Sequence, residues 1–119
     1  MSGDPRMAGL PPAVVDLVHA GARALRDGQP QRAEPFLLQA CAQAPTHPEP
    51  LRYLAILQLH TRRAPMAMQT LQRALALAPD DALLHCDLGT AQSASGDIES
   101  ALSSWQRACN LEPAQPMPW

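Results

Sequence analysis

The 119-residue sequence predicts an all-α solenoid of antiparallel helix pairs, and three observations lead to this fold class. Similar residues recur every 34 positions, as at Pro45, Pro79 and Pro113. Apolar residues within the units follow helical spacing, and turn or cap residues divide each unit into two helices. A fixed period of this length indicates stacked units that bury their apolar faces against one another.

Small and large apolar residues alternate in a fixed way along this period. We expect the small residues to let the two helices of a unit approach, and the large ones to fill the space beside them. If the Trp105 ring is fully buried, its replacement by alanine is expected to cost about 3–5 kcal/mol. The small residues are Gly21, Ala55 and Gly89 in the first helices and Ala33, Ala67 and Ala101 in the second helices, and the large residues are Leu37, Leu71 and Trp105.

The third unit resembles the tetratricopeptide repeat (TPR) family. It carries that family's residues in register at Leu88-Gly89, Gly96-Asp97, Ala101, Trp105, Ala108 and Pro113. The resemblance implies a right-handed α-solenoid with three repeats and the first residues of a fourth, which Trp119 opens. The expected divisions are a flexible lead-in over 1–12, repeats over 13–45, 46–79 and 80–113, and a truncated fourth repeat over 114–119.

Cap and turn residues predict where the helices begin and end. Gly28 supplies a turn residue in the first unit, whereas the second unit has Arg62 there and no glycine. Thr46 and Glu49 have the spacing of a capping box, and Pro35 is expected to kink the helix it lies in. The predicted helices begin near Ala13 and Pro30 and cover about 48–61, 64–78 and 98–111, with another that starts after Asp80-Asp81.

Composition narrows the range of partners. Nine basic and eleven acidic residues give a net charge of −2 without a run of either sign, so neither nucleic acid nor an anionic membrane is an expected partner. The first ten residues contain no apolar core of a signal peptide, and no stretch approaches the roughly 18 apolar residues of a membrane span. We expect a cytoplasmic chain.

Residues that could carry chemistry are scattered. The cysteines, Cys41, Cys86 and Cys109, are odd in number and lack metal-ligand spacing, so they are expected to serve in packing. The four histidines have no chelating partner at helical spacing, and no serine has a nearby base. The sequence therefore predicts neither a catalytic residue nor a metal or other cofactor within these residues.

The resemblance implies a binding surface instead. In the family, five positions of the first helix of each repeat line a concave groove that takes peptides. We expect protein or peptide partners there, unless the lead-in or an adjoining domain covers the groove. The matching residues are Val15, Val18, Ala22, Leu25 and Arg26 in the first repeat, Glu49, Arg52, Ile56, Leu59 and His60 in the second, and Leu83, Cys86 and Thr90, with Ser93 and Ala94, in the third.

One subclass of the family grips the terminal carboxylate of chaperone tails with basic and amide side chains. The matching positions here are Val18, Ala22, Tyr53, Leu83 and Asp87, and all five depart from that pattern. Asp87 would repel a carboxylate. Binding of chaperone tails is therefore not expected.

Two further possibilities remain open at the level of sequence. Similar arrays precede glycosyltransferase, sulfotransferase and 2-oxoglutarate-dependent aspartyl/asparaginyl hydroxylase domains, where they would dock substrates or mediate oligomerisation. The helices of the third repeat also lack a polar capping helix in this sequence, and self-association through their outer face is expected.

Overall fold

The computed structural model describes residues 5–111, which contain six α-helices and no β-strand. A 3-10 turn over Pro5–Met7 precedes the helices. These are α1 (Pro12–Arg26), α2 (Pro30–Gln43), α3 (Pro48–His60), α4 (Ala64–Leu77), α5 (Ala82–Ala94) and α6 (Ile98–Leu111). Pro113 and the predicted fourth-repeat residues 114–119 lie outside the described residues.

The helices pack as three hairpins in series. α1 packs on α2, α3 on α4 and α5 on α6, while α2 against α3 and α4 against α5 join successive hairpins. The first helices of the hairpins also touch, α1 with α3 and α3 with α5. This arrangement confirms the predicted all-α TPR solenoid. Within residues 5–111, every helix falls short of the length and hydropathy that a membrane span requires.

The close approach of paired helices depends on the absence of side chains at two glycines. A Cβ on Gly21 would lie 2.6 Å from the side chain of Leu37, and a Cβ on Gly89 would lie 2.5 Å from Trp105 Nε1. Both separations are shorter than van der Waals contact allows. The predicted role of these small residues in helix pairing is therefore confirmed at Gly21 and Gly89.

Trp105 differs from its counterparts in the other repeats. Leu37 and Leu71 are fully buried, whereas Trp105 is only partly buried and its Nε1 donates a hydrogen bond to the Cys86 carbonyl at 3.2 Å. Among the described residues no helix follows α6 to cover the ring. The condition of full burial is not met, so the expected cost of 3–5 kcal/mol for Trp105→Ala was too high.

The predicted capping box at the start of α3 was wrong. The N-cap of α3 is His47, whose Nδ1 accepts from the Glu49 N–H at 3.2 Å, so Thr46 and Glu49 do not form a capping box. Pro35 lies inside α2, which is continuous from Pro30 to Gln43, and it removes one backbone hydrogen bond because proline has no N–H. A kink at Pro35 stays a prediction. The predicted cap at Asp81 is confirmed, because its carboxylate accepts from the Leu83 and Leu84 N–H groups.

The cysteines do not share one environment. Cys41 is partly buried between two apolar clusters, and burial raises the pKa of its thiol to about 11. It is therefore an unreactive packing residue, as predicted. Cys109, at the same repeat position on α6, is exposed. Cys86 is exposed as well, so the packing prediction was wrong for these two.

The contact between Gly89 and Trp105 can be tested against the second repeat, which has Ala55 and Leu71 at the same positions. We expect Gly89→Ala to lower the free energy of unfolding by about 1–2 kcal/mol, because the new Cβ must displace the indole. The double variant Gly89→Ala/Trp105→Leu recreates the pair of the second repeat. Urea unfolding should show that the double variant loses less than the sum of the single variants, by about 0.5 kcal/mol or more. Strict additivity would contradict the proposed clash.

The turn between α3 and α4 contains the only positive-φ residue other than glycine in residues 5–111. Arg62 has φ 61°, and Gly28 and Gly96, one repeat away on either side, have φ 74° and 89°. An L-residue is strained in this region, and glycine is not.

We therefore expect Arg62→Gly to raise the free energy of unfolding by about 0.5–1 kcal/mol, after the larger backbone entropy of unfolded glycine is deducted. Thermal unfolding followed by circular dichroism measures this change. The reverse change, Gly28→Arg, is the matched control and should destabilise the chain by a similar amount. A decrease in stability for Arg62→Gly would contradict the assignment of strain.

Candidate functional site

The candidate site lies on the face formed by α1, α3 and α5, which we call the inner surface. These are the first helices of the three repeats and they contact one another in sequence order. Side chains that are one repeat apart are therefore brought close together on neighbouring helices. The inner surface has two parts of different chemistry, an apolar pocket between α3 and α5 and a charged region near the starts of those helices.

The apolar pocket has a volume of about 420 Å³. It brings together five of the predicted groove residues and adds Asp87; the five are Ile56, Leu59, His60, Thr90 and Ala94. Ile56 is partly exposed and belongs to none of the apolar clusters that form the core. The pocket therefore offers an accessible apolar surface with Asp87 at its border.

A second depression, of about 410 Å³, lies on the opposite side of the third repeat. All of its lining residues belong to α6, namely Leu102, Ser103, Gln106, Arg107 and Asn110. A surface formed by one helix cannot enclose a ligand between walls. The pocket between α3 and α5 is the better candidate, since two repeats contribute to it.

The N-terminal part of the inner surface is covered by residues that precede α1. Met7 is buried in a cluster with Val14, Val18 and Ala40, and Leu10 packs against the same cluster. Val18, predicted to line the groove, is fully buried. It cannot contact a partner while the N-terminal residues are in place, so its assignment as an accessible groove residue was wrong.

The charged region is organised by Arg6. Its Nε donates to Glu49 Oε1 at 2.9 Å, and its Nη1 and Nη2 donate to the two carboxylate oxygens of Asp81 at 3.2 and 2.8 Å. The lead-in was predicted to be flexible, and coverage of the groove by it was left open. Its described part, from residue 5 onward, connects the second and third repeats through this guanidinium.

Arg52 extends the charged region toward the apolar pocket. Its Nε lies 3.5 Å from Asp87 Oδ2 and 3.9 Å from Glu49 Oε1, and its guanidinium carbon lies 5.1 Å from the centre of the Tyr53 ring. These are ion-pair distances without hydrogen-bond alignment. Arg52 Nε and Nη1, Asp87 Oδ2 and Glu49 Oε2 are buried atoms without a hydrogen-bond partner among the described residues.

The pKa values of the two aspartates move in opposite directions. Burial raises the pKa of Asp81, but hydrogen bonds and charge from Arg6, together with the Leu83 and Leu84 amides, outweigh burial and leave the pKa below its ordinary value. Burial raises the pKa of Asp87, and the charges of Arg52 and Arg6 do not fully offset it. Asp81 is therefore the better-stabilised anion.

The remaining predicted residues are dispersed. Leu25 packs partly against the core, Ala22 and Leu83 are partly buried, and Arg26 and Cys86 are exposed. The site residues that sequence reasoning missed are Arg6, Met7 and Asp81. The pattern gives no signal for the first two, which precede the repeats. Among the described residues, no three His, Cys, Asp or Glu side chains are arranged to hold a metal ion.

Comparison with known proteins identifies the repeat. A family model described as "Tetratricopeptide repeat" matches residues 24–85, which is about half of the chain. A search of curated protein sequences found no match.

Solved structures of TPR domains share the fold. The Sgt2 TPR domain from Aspergillus fumigatus is 20% identical, with a TM-score of 0.85 over 97% of this chain and 76% of that one. The first TPR domain of Spaghetti (RPAP3), solved with the HSP90 peptide SRMEEVD, is 19% identical, with a TM-score of 0.81 over 87% of this chain and 82% of that one. The O-GlcNAc transferase of Thermobaculum terrenum is 27% identical, with a TM-score of 0.79 over 95% of this chain, which spans 21% of the transferase.

The contact between Arg6 and Asp81 should depend on pH. Because the pKa of Asp81 in the folded chain lies below the ordinary 3.8, its carboxylate stabilises the fold above that pH. This contribution is lost as the pH falls through the lower, folded-state pKa. We expect Arg6→Ala to lower the Tm near pH 7 and to have a smaller effect near pH 3, measured by circular dichroism.

Arg107→Ala is the matched control. Arg107 pairs with the neighbouring Asp80 at 3.5 Å, but both side chains are largely exposed. Exposed ion pairs contribute little, so this variant should leave the Tm nearly unchanged at both pH values. A difference between wild type and Arg6→Ala that is the same at both pH values would contradict the role of Asp81.

Proposed function

Since the chain belongs to the tetratricopeptide repeat family, we propose that this protein-interaction module binds a peptide segment of its partner on the inner surface. The observation that carries this proposal is the apolar pocket that α3 and α5 form together. Ile56 and Leu59 provide apolar contact, and Thr90 and His60 provide polar groups at its edge. Pockets of this size, with a few convergent polar groups, suit one or two side chains of a bound peptide.

The charge of the inner surface argues for the kind of peptide. Asp87 borders the pocket, and Glu49 and Asp81 lie beyond it, while the nearby cations Arg6 and Arg52 are already paired with these carboxylates. Spaghetti (RPAP3) was solved with the peptide SRMEEVD, which ends in acidic residues. The inner surface of this chain favours a neutral or basic segment over such a tail, because Asp87 would face the acidic end.

Arg52 is the one cation of α3 near the pocket, and its position does not reverse this preference. Its guanidinium lies between Asp87 and Glu49 and over the ring of Tyr53. A ligand carboxylate would have to compete with both side-chain carboxylates for it. For this reason we do not expect chaperone tails to be ligands of this surface.

Selection from a phage-displayed library of random peptides tests the proposal. Wild-type protein should enrich a peptide family with apolar residues, and the affinity of the consensus peptide can be measured by fluorescence polarisation. Ile56→Asp should weaken binding by about tenfold or more, because a charge replaces apolar contact in the pocket. Ile56 lies outside the core clusters, so the variant should remain folded.

Leu38→Asp is the matched control, since Leu38 is half-exposed on α2, away from the inner surface. It should bind the consensus peptide as wild type does. Circular dichroism of both variants checks that helicity is unchanged. Equal binding by Ile56→Asp and wild type, or no enrichment of any peptide, would contradict binding in the pocket.

A second function is favoured by the similarity to the Thermobaculum terrenum O-GlcNAc transferase. We propose, as the alternative, that the repeats form the substrate-docking or oligomerisation module of a larger enzyme, with a glycosyltransferase first among the candidates. Sequencing the gene beyond codon 119 distinguishes the two functions. A glycosyltransferase domain in the same reading frame supports the alternative, and further repeats with a polar capping helix support an adaptor.

Self-association through the third repeat stays a prediction. Ile98 and Leu102 of α6 are 51% and 59% exposed, which supports an adhesive outer face. Light scattering at increasing protein concentration measures it directly.

A further inference from the structure

Residues 5–10 lie on the inner surface in the manner of a bound peptide. Arg6 inserts between carboxylates of two repeats, and Met7 enters the apolar cluster of α1 and α2. His47 Nε2 lies 2.8 Å from the Ala8 carbonyl oxygen and donates to it, since Nδ1 of the same ring accepts from the Glu49 amide. A guanidinium, an apolar side chain and a main-chain carbonyl are each recognised by a different group of the repeats.

The contacts of Arg6 are specific to the guanidinium group. The Nε–H points at Glu49, and the two terminal amino groups grip both oxygens of Asp81. Three donors in one rigid plane match two carboxylates held at the starts of α3 and α5. A lysine ammonium is a point charge without this fork and cannot reproduce the arrangement.

Glu49 shows that the site requires a cation. Its side chain is buried, with the residue only 1% exposed, and its Oε2 has no hydrogen-bond partner among the described residues. The nearest cation other than Arg6 is Arg52, whose Nε lies 3.9 Å from Oε1 without hydrogen-bond alignment. A buried carboxylate with so few partners binds an incoming guanidinium favourably.

We propose that Glu49 and Asp81 form an arginine-binding site on the inner surface, which Arg6 fills within the chain. A partner segment with an arginine followed by an apolar residue displaces residues 5–10 and binds in their place. This inference rests on the proposed function, because the charged region and the apolar pocket are two parts of the same inner surface.

Displacement of residues 5–10 does not require any of the six α-helices to unfold. The segment precedes α1 and joins it through Gly9, which has φ 89°, and Leu10. Its contacts are opposed by the conformational entropy lost when the segment is ordered. Local release of such a terminal segment needs less free energy than global unfolding.

The segment itself provides the probe. A fluorescein-labelled peptide of residues 2–12, SGDPRMAGLPP, is titrated against the full chain and against the variant Arg6→Ala/Met7→Ala, in which the site is vacated. We expect the vacated variant to bind the peptide about tenfold more tightly than wild type, because the internal competitor has lost its two anchors. Arg6→Ala alone serves as the second variant if the double variant unfolds.

Peptide and protein substitutions test the recognition chemistry. Replacing the peptide's arginine with lysine should weaken binding by about tenfold, and Asp81→Asn in the vacated background should weaken it similarly. Arg107→Ala, which removes a surface arginine elsewhere, should bind the peptide as weakly as wild type. Equal affinities for all proteins, or equal affinities for the arginine and lysine peptides, would overturn the proposal.

The result of this experiment can be distinguished from the result of the test of the apolar pocket. If the vacated variant melts at a lower temperature and does not bind the peptide, residues 5–10 are a structural cap only and the inference fails. A library-selected peptide that is lost on Ile56→Asp would still support the proposed function in that case. Conversely, a peptide of residues 2–12 whose binding depends on Asp81 but not on Ile56 would support the arginine site alone.

Discussion

The close approach of the two helices within each hairpin is the constraint on which the rest of the structure depends. Gly21 and Gly89 permit it by leaving room for Leu37 and Trp105. Because the hairpins are alike, they stack with a constant offset, and equivalent positions lie next to each other on neighbouring first helices. Ile56 and Thr90 line the same pocket for this reason, as they are one repeat apart in the sequence.

The period predicts most of the fold. It gives the helix pairs and the small and large contacts, because these are local or repeat-to-repeat relations. Part of the site, namely five residues of the apolar pocket, follows from the resemblance to the tetratricopeptide repeat family. Neither specifies a contact made by a residue outside the repeats. Arg6 is 43 positions from Glu49 and 75 from Asp81, and neither separation is a multiple of the repeat. Nothing in the pattern could have brought them together.

The expectations of burial or exposure that were wrong concern residues of the first and third repeats. Val18 occupies a groove position but is buried, because Met7 covers the first repeat. Trp105 and Cys109 of α6 occupy positions where burial was expected, but Trp105 is only partly buried and Cys109 is exposed. Burial is not lost throughout these two repeats, since Leu37 of the first and Ala101 of the third are fully buried. In the second repeat, which has a neighbour on both sides, the expectations of burial at Ala55, Ala67 and Leu71 all agree with the structure.

The two parts of the inner surface follow different rules for ligand exchange. A ligand of the apolar pocket meets accessible side chains and displaces no segment of the chain. Its binding free energy therefore follows from the apolar area that it buries. The carboxylate of Glu49 is already buried, so removing Arg6 without a replacement leaves an anion with one distant cation, Arg52. Such a charge destabilises the array until a guanidinium returns. Exchange at the charged region therefore depends on whether the incoming segment carries a guanidinium. Binding in the apolar pocket depends instead on the size of the apolar side chains that the ligand inserts.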